Sequence, residues 1–188
     1  GYLKELILEE NINYKLDIDT IHVTKDVLKY ISDLDNPSKI MGICKKIDKK
    51  EIGNKLLILD DIQDPGNLGT IIRTAAALGI DAVISSVETV DYYNDKVLRA
   101  TQGAIFKIPL FKMNLKEVLL LLKDNNITVY GTHLESSISV KEVDKKDKLA
   151  VVVGNEAQGV SKEVLDLCDK NIILPMNNVV ERLNVSIA

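Results

Sequence analysis

The sequence predicts an α/β fold, with a mostly parallel sheet carrying helices on both faces, preceded by a partial small α/β unit. Three observations carry this expectation. From residue 55 onward, apolar strand-like runs alternate with helical patterns, the signature of parallel βαβ units. LAVVVG at 149–154 is apolar throughout, as strands covered on both faces are. Three apolar runs lead straight into loops rich in Gly, Asn and Pro, within 60–79, 149–161 and 173–188. Open α/β sheets hold their ligands at the carboxyl ends of strands, so these loops mark a site.

The elements follow in order. YLKELILEE at 2–10 combines strong helix formers with a helical period and predicts a helix. TIHVT at 20–24 reads as a strand, KDVLKYI at 25–31 as a helix, DNPS at 35–38 as a turn and IMGIC at 40–44 as a strand. KKIDKKEIGN at 45–54 is a polar linker. The chain is therefore divided into an N-terminal unit with its linker, 1–48, and a larger domain, 49–188. The first unit starts abruptly, and upstream sequence is expected to be missing. In the larger domain KLLILD (55–60), DAVISS (81–86), ITVYG (127–131), LAVVVG and NIILP (171–175) predict strands. Residues 67–78, a short piece within 97–104, NLKEVLLLLKDN (114–125) and SKEVLDLC (161–168) predict helices. Ser161 is the expected cap of the last helix, with Glu163 in its first turn.

Composition narrows the function classes. A hydrophobic content of 46% is ample for a core, and no apolar run approaches the ~20 residues of a membrane helix. The first residues lack the basic start, apolar stretch and cleavage site of a signal peptide, so a cytoplasmic chain with no membrane partner is expected. Cys44 and Cys168 form no CxxC pair and read as two buried thiols in a reducing compartment. His22 and His133 have no cysteine at metal-ligand spacing, so no metal is expected. The net charge of −4 argues against indiscriminate coating of nucleic acid. Lys39, Lys45, Lys46, Lys49 and Lys50 stand against only Asp48, which fits either a local basic face or a solvated linker. Of 24 basic residues only Arg73, Arg99 and Arg182 are arginines. Where lysine is the default cation, arginine suits forked binding of phosphate or carboxylate.

The three loops read chemically as follows. In Asp64-Pro65-Gly66-Asn67-Leu68-Gly69, Pro65 and Gly66 turn the chain and Asn67 can cap the following helix. Arg73 lies roughly two turns on and can reach back towards an anion near the helix start. Neither GK[ST] nor GxGxxG is present, which argues against a nucleoside triphosphate or NAD site. In Gly154-Asn155-Glu156-Ala157-Gln158-Gly159 the flanking glycines allow close backbone approach. Glu156 follows a buried strand and needs a partner, with Arg73 a possible one. In the third loop Pro175 ends strand hydrogen bonding, leaving carbonyls able to accept from an adenine amino group. Asn184 and Ser186 present polar atoms from the next turn.

Taken together, PGNLGTIIRTAAALG, VVVGNEAQGVS and ILPM…VERLNVSIA resemble the three motifs of the SpoU family of RNA ribose 2′-O-methyltransferases, within the SPOUT superfamily. The match spans residues 55–188 in the family's order and spacing; the first fifty residues resemble the end of its RNA-binding N-terminal domain. The resemblance implies a deep C-terminal trefoil knot, S-adenosyl-L-methionine as cofactor, and a homodimer whose site uses both subunits. By position, Asn67, Arg73, Glu156 and Asn184 match catalytic positions, with Glu156 orienting Arg73. Thr132, His133, Gly154, Asn155, Gly159, Ile173, Pro175, Met176, Leu183 and Asn184 fall at cofactor-binding positions. Arg73, Arg99 and Arg182 are the RNA-binding candidates. Two departures stand out. Arg182 occupies the position where the family usually has serine, and the chain stops at Ala188, where a long C-terminal helix normally begins. The expected activity is methylation of a ribose 2′-hydroxyl, in ribosomal RNA before transfer RNA. The alternatives are a non-catalytic RNA-binding homodimer of the same descent and an enzyme that methylates a base.

Overall fold

The structure, a computed structural model, describes residues 1–32, 34–47, 51–134, 137–177 and 183–188. The chain divides into two compact units, Gly1–Asp48 and Lys49–Ala188.

The first unit is a three-stranded sheet in the order β2-β1-β3. The strands are β1 (Leu3–Glu9), β2 (Asp19–Val23) and β3 (Ile40–Cys44). β1 pairs parallel with β2 and antiparallel with β3. The helix expected over 2–10 is thus a strand. Its propensities favour a helix, but Leu6 and Leu8 are buried two residues apart, and the central strand finds hydrogen-bonding neighbours on both sides. Helix α1 (Lys25–Ile31) is capped by Thr24, whose side chain accepts from the Val27 amide, and it buries Leu28. Cys44 is exposed, against the expectation of a buried thiol. β3 carries it out at the last position of an edge strand, where the sheet turns no residue inward.

The second unit has seven strands in the order β6-β5-β4-β9-β7-β10-β8, each neighbouring pair parallel. They are β4 (Lys55–Asp60), β5 (Ala82–Ser85), β6 (Leu110–Lys112), β7 (Thr128–Thr132), β8 (Ile138–Ser139), β9 (Leu149–Gly154) and β10 (Lys170–Ile173). The helices are α2 (Pro65–Ala77), α3 (Asp95–Ala100), α4 (Leu115–Asp124) and α5 (Lys162–Leu165). Side chains alternate across each strand. Leu56, Ile58, Ala82, Ile84, Ala150 and Val152 face one way and form a core with Val118, Leu119 and Leu122 of α4 and Val164 of α5. α2 buries Leu68, Ile71, Ile72 and Ala75 outside that cluster, against the opposite face. Among the described residues no helix is long and apolar enough to cross a membrane.

Three details differ from the expectations. α2 begins at Pro65, two residues before 67, because Asp64 takes the cap position and Pro65 suits the first helical turn. α5 stops at Leu165 and Ser161 makes no side-chain cap bond. The chain leaves the helix because Asp169 is drawn to the sheet: its amide donates to Val129 O at 2.9 Å and its carboxylate accepts from Val129 N at 2.8 Å. Cys168 is half-buried beside this turn, and burial pushes its thiol up to about 11. The short strands β6 and β8 have too few residues to show a period.

Candidate active site

The strand order brings the three loops together. β4, β9, β7 and β10 are successive neighbours, and residues at or near their carboxyl ends pair in register: Asp60 with Gly154, Gly131 with Val152, and Ile172 with Thr132. The segments after β4, β7, β9 and β10 therefore leave the same edge of the sheet side by side. A cleft of about 460 Å³ opens there, within the ~300–1,000 Å³ of small-molecule sites.

Nine of the ten residues expected at cofactor-binding positions line this cleft: Thr132, His133, Gly154, Asn155, Gly159, Ile173, Met176, Leu183 and Asn184. Pro175 does not; it is exposed, and Leu174 and Met176 on either side face the cleft instead. Leu134, Val153, Gln158, Val160, Ile172, Leu174 and Val185 complete the lining with Glu156 and Ala188. The apolar members among these had no sequence signal of their own, since a cleft-lining Val or Leu looks like a core residue.

The glycines of the second loop have a geometric cause. A Cβ on Gly154 would stand 2.1 Å from the backbone of Gly159 and Val160, so the loop closes on itself only with glycine there. Gly159 lies at φ +75, a left-handed conformation that glycine adopts at little cost. Asn155 ties the turn together: its Oδ1 accepts from the amides of Ala157 and Gln158, at 2.9 and 3.2 Å, and its backbone carbonyl accepts from Gly159 N at 2.8 Å. Asp60, buried at the end of β4, accepts from Ser161 N at 2.7 Å and fixes the loop's exit.

Asn67, in the first turn of α2, and Glu156 and Asn184, from two loops, form one hydrogen-bonded series. Asn67 Nδ2 donates to Glu156 Oε1 at 3.0 Å, and Asn184 Nδ2 donates to Asn67 Oδ1 at 3.0 Å. Ser186 extends it, donating from its amide and its hydroxyl to Asn184 Oδ1 at 2.9 and 2.6 Å. Donation runs in one direction and ends on a carboxylate, an arrangement in which each bond polarises the next. Asn67 is free to do this because it is not the helix cap. That place belongs to Asp64, whose Oδ1 accepts from Asn67 N at 2.7 Å. One N–H and one lone pair of the Asn67 carboxamide remain available to a ligand among the described residues.

The expected pairing of Glu156 with Arg73 is not present within the chain. Glu156 instead accepts from Asn67 and, at 3.4 Å, from the Asp64 amide. Arg73 is exposed at the start of the third turn of α2, too far along the helix to compete with donors at its start. Arg99 is exposed on α3 and ion-paired to Asp95 at 2.6 Å, one helical turn away. Arg182, Glu181, Lys49 and Lys50 lie outside the described residues.

Comparison with known proteins decides the family. The model of the SpoU rRNA Methylase family matches residues 54–188. The chain belongs to this family. Among its relatives, the 23S rRNA (guanosine(2553)-2′-O)-methyltransferase RlmP of Bacillus subtilis is 35% identical over 193 residues, covering 100% of this chain and 78% of RlmP. A TrmH-family relative from Staphylococcus saprophyticus is 41% identical over 134 residues, covering 71% of this chain and 54% of its own length. Among solved structures, the AdoMet-bound rRNA methyltransferase from Sinorhizobium meliloti has a TM-score of 0.85 and 27% identity, covering 99% of this SpoU-family chain and 76% of that one. The SpoU methyltransferase AviRb from Streptomyces viridochromogenes, solved with AdoMet, shares the fold at a TM-score of 0.86 and 22% identity, covering 100% and 80%.

Proposed function

We propose that this SpoU-family chain transfers a methyl group from S-adenosyl-L-methionine to a ribose 2′-hydroxyl of RNA, with ribosomal RNA as substrate, as a cytoplasmic homodimer. The observation that carries the reading is the Asn184–Asn67–Glu156 series joining three separate chain segments beside one cleft. Full-length similarity to a 23S rRNA 2′-O-methyltransferase supports it.

The residues suit the cofactor. Val153, Ile172, Leu174 and Leu183 supply apolar walls for an adenine ring, and Gly154 and Gly159 keep the floor free of side chains. Beyond β10 the segment 174–177 has left the sheet, so its carbonyls are available to an exocyclic amine. Thr132 and Asn184 supply polar contacts for a ribose and an amino acid group. When bound, the cofactor supplies an electrophilic methyl carbon.

The protein's part is to orient the ribose and favour charge building on its oxygen. Asn67, held by Glu156 and Asn184, presents its remaining N–H towards the reacting hydroxyl. Positioning of this kind supplies up to ~7–11 kcal/mol in ideal cases. Arg73, whose guanidinium offers donors and no acceptor, acts as an electrostatic clamp on RNA phosphate or on the developing alkoxide, not as a base.

Arg73 lies apart from Glu156 in its own chain, which favours a site completed by a second copy. Leu134 and Leu183, 62% and 42% exposed beside the cleft, are apolar surface that such a copy would cover. The C-terminal knot is part of the same reading: β10 lies between β7 and β8 although it follows both in sequence, and His133, at the start of their connection, donates its amide to Ile172 O at 3.1 Å. The N-terminal unit is assigned to RNA binding.

Calorimetry and a transfer assay test the proposal together. The chain should bind S-adenosyl-L-methionine, and Arg73→Ala should lose methyl transfer at least ~100-fold while its cofactor affinity stays within about threefold, the pattern of a group that acts on the transition state. Full transfer by Arg73→Ala would remove Arg73 from the mechanism. RNA binding with no cofactor binding would favour the non-catalytic reading.

A further inference from the structure

The loop that carries Glu156 is not anchored by the cleft residues alone. Behind it stands Asp61, the first residue after β4, outside the cleft lining. Its backbone is left-handed, φ 59, a conformation uncommon for a residue other than glycine and costly unless its surroundings hold it. The consequence is that its carbonyl and its carboxylate point to the same donor. Asn155 Nδ2 donates to Asp61 O at 2.9 Å and to Asp61 Oδ2 at 3.2 Å. The second carboxylate oxygen, Oδ1, accepts from Gln63 Nε2, which also donates to Glu88 O. The Asp61 amide donates to Ser86 Oγ at 3.1 Å, and Ser86, the residue after β5, is buried.

We infer that Asp61 is a positioning residue for the transfer reaction, clamping Asn155 to the sheet so that the adjacent Glu156 meets Asn67. The inference deepens the proposed function and rests on it. Every link is a hydrogen bond between named groups. Ser86 and Gln63 fix Asp61; Asp61 fixes the Asn155 carboxamide; the other end of that carboxamide fixes the amides of Ala157 and Gln158. Glu156 sits between these anchors and orients Asn67. The carboxylate adds to the backbone carbonyl one acceptor oxygen for Asn155 and another for Gln63, so that both donors are held by one side chain.

Asp61→Gly removes the carboxylate and keeps the left-handed backbone at no steric cost. Turnover is measured per site able to bind S-adenosyl-L-methionine, so that misfolded molecules do not count. The expected result is a fall in kcat of about tenfold, short of the ~100-fold that a 1 Å misplacement costs, with cofactor affinity within about twofold. Asp61→Asn, which keeps one acceptor oxygen, should recover part of the loss. A purely structural role would lower the number of binding sites and leave turnover per site unchanged, and that result overturns the inference. Hydrogen exchange of the amides of Ala157 and Gln158 supplies a readout that needs no activity: faster exchange in Asp61→Gly supports the clamp, and unchanged exchange contradicts it. Absence of transfer by the unaltered protein on any RNA would instead count against the proposed function, with the exchange result still deciding the role of Asp61.

Discussion

At the scale of single residues the site depends on which side chain is left over once local structure is satisfied. Asp64 caps α2, which releases Asn67 to bond Glu156 and Asn184. Asn67→Ala breaks both bonds at once and leaves the half-buried Glu156 carboxylate, among the described residues, with the Asp64 amide alone. We predict a loss of kcat of about 100-fold or more, since an oriented polar donor of this kind is worth roughly 2.7–4 kcal/mol. Circular dichroism should show an intact fold, because the helix cap does not involve the Asn67 side chain; wild-type turnover would remove Asn67 from catalysis. Much of this was readable from residue types. Asn67 and Glu156 stood out as polar groups near glycines after strands, and Asn184 as a polar group in the turn beyond Pro175. Which of two neighbouring polar residues would cap, and that Glu156 would bond Asn67 instead of Arg73, were not readable. Those outcomes depend on distances of a few tenths of an ångström between residues that are 89 and 117 positions apart.

At the scale of elements, close approach of backbone decides the layout. A Cβ on Gly69 would stand 2.4 Å from Ala100 Cβ and 2.8 Å from Val97 O, so α2 and α3 touch only because residue 69 is glycine. Gly69→Ala would push α3 and its Arg99 outward. We predict a destabilisation of about 1–3 kcal/mol, the usual penalty for overpacking, measured by urea denaturation; an unchanged midpoint would mean that α3 moves freely. The parallel strands were legible where they were long and continuously apolar, as in KLLILD and LAVVVG. YLKELILEE was misread because lysine, glutamate and leucine favour a helix locally, whereas pairing on both edges made it the centre of a sheet. Tertiary pairing outweighs propensity differences of less than about 0.7 kcal/mol per residue.

At the scale of the whole molecule, strand order performs the assembly. Placing β9 between β4 and β7, and β10 next to β7, turns four distant chain segments into one edge. No periodicity reveals that order; the resemblance of the three motifs to a family implied a shared site and a knot, and no strand order. A site completed across two copies makes a specific prediction. Arg73→Ala and Glu156→Ala, each inactive alone, should regain transfer when co-expressed, because a mixed pair carries one site with both residues intact. No recovery in a verified mixed dimer would confine the site to one chain. The account as a whole is tested most directly by the position of the transferred methyl group. Ribosomal RNA incubated with the protein and methyl-labelled S-adenosyl-L-methionine, then digested to nucleosides, should carry the label in a single 2′-O-methylnucleoside; label on a base, or none despite bound cofactor, would contradict it.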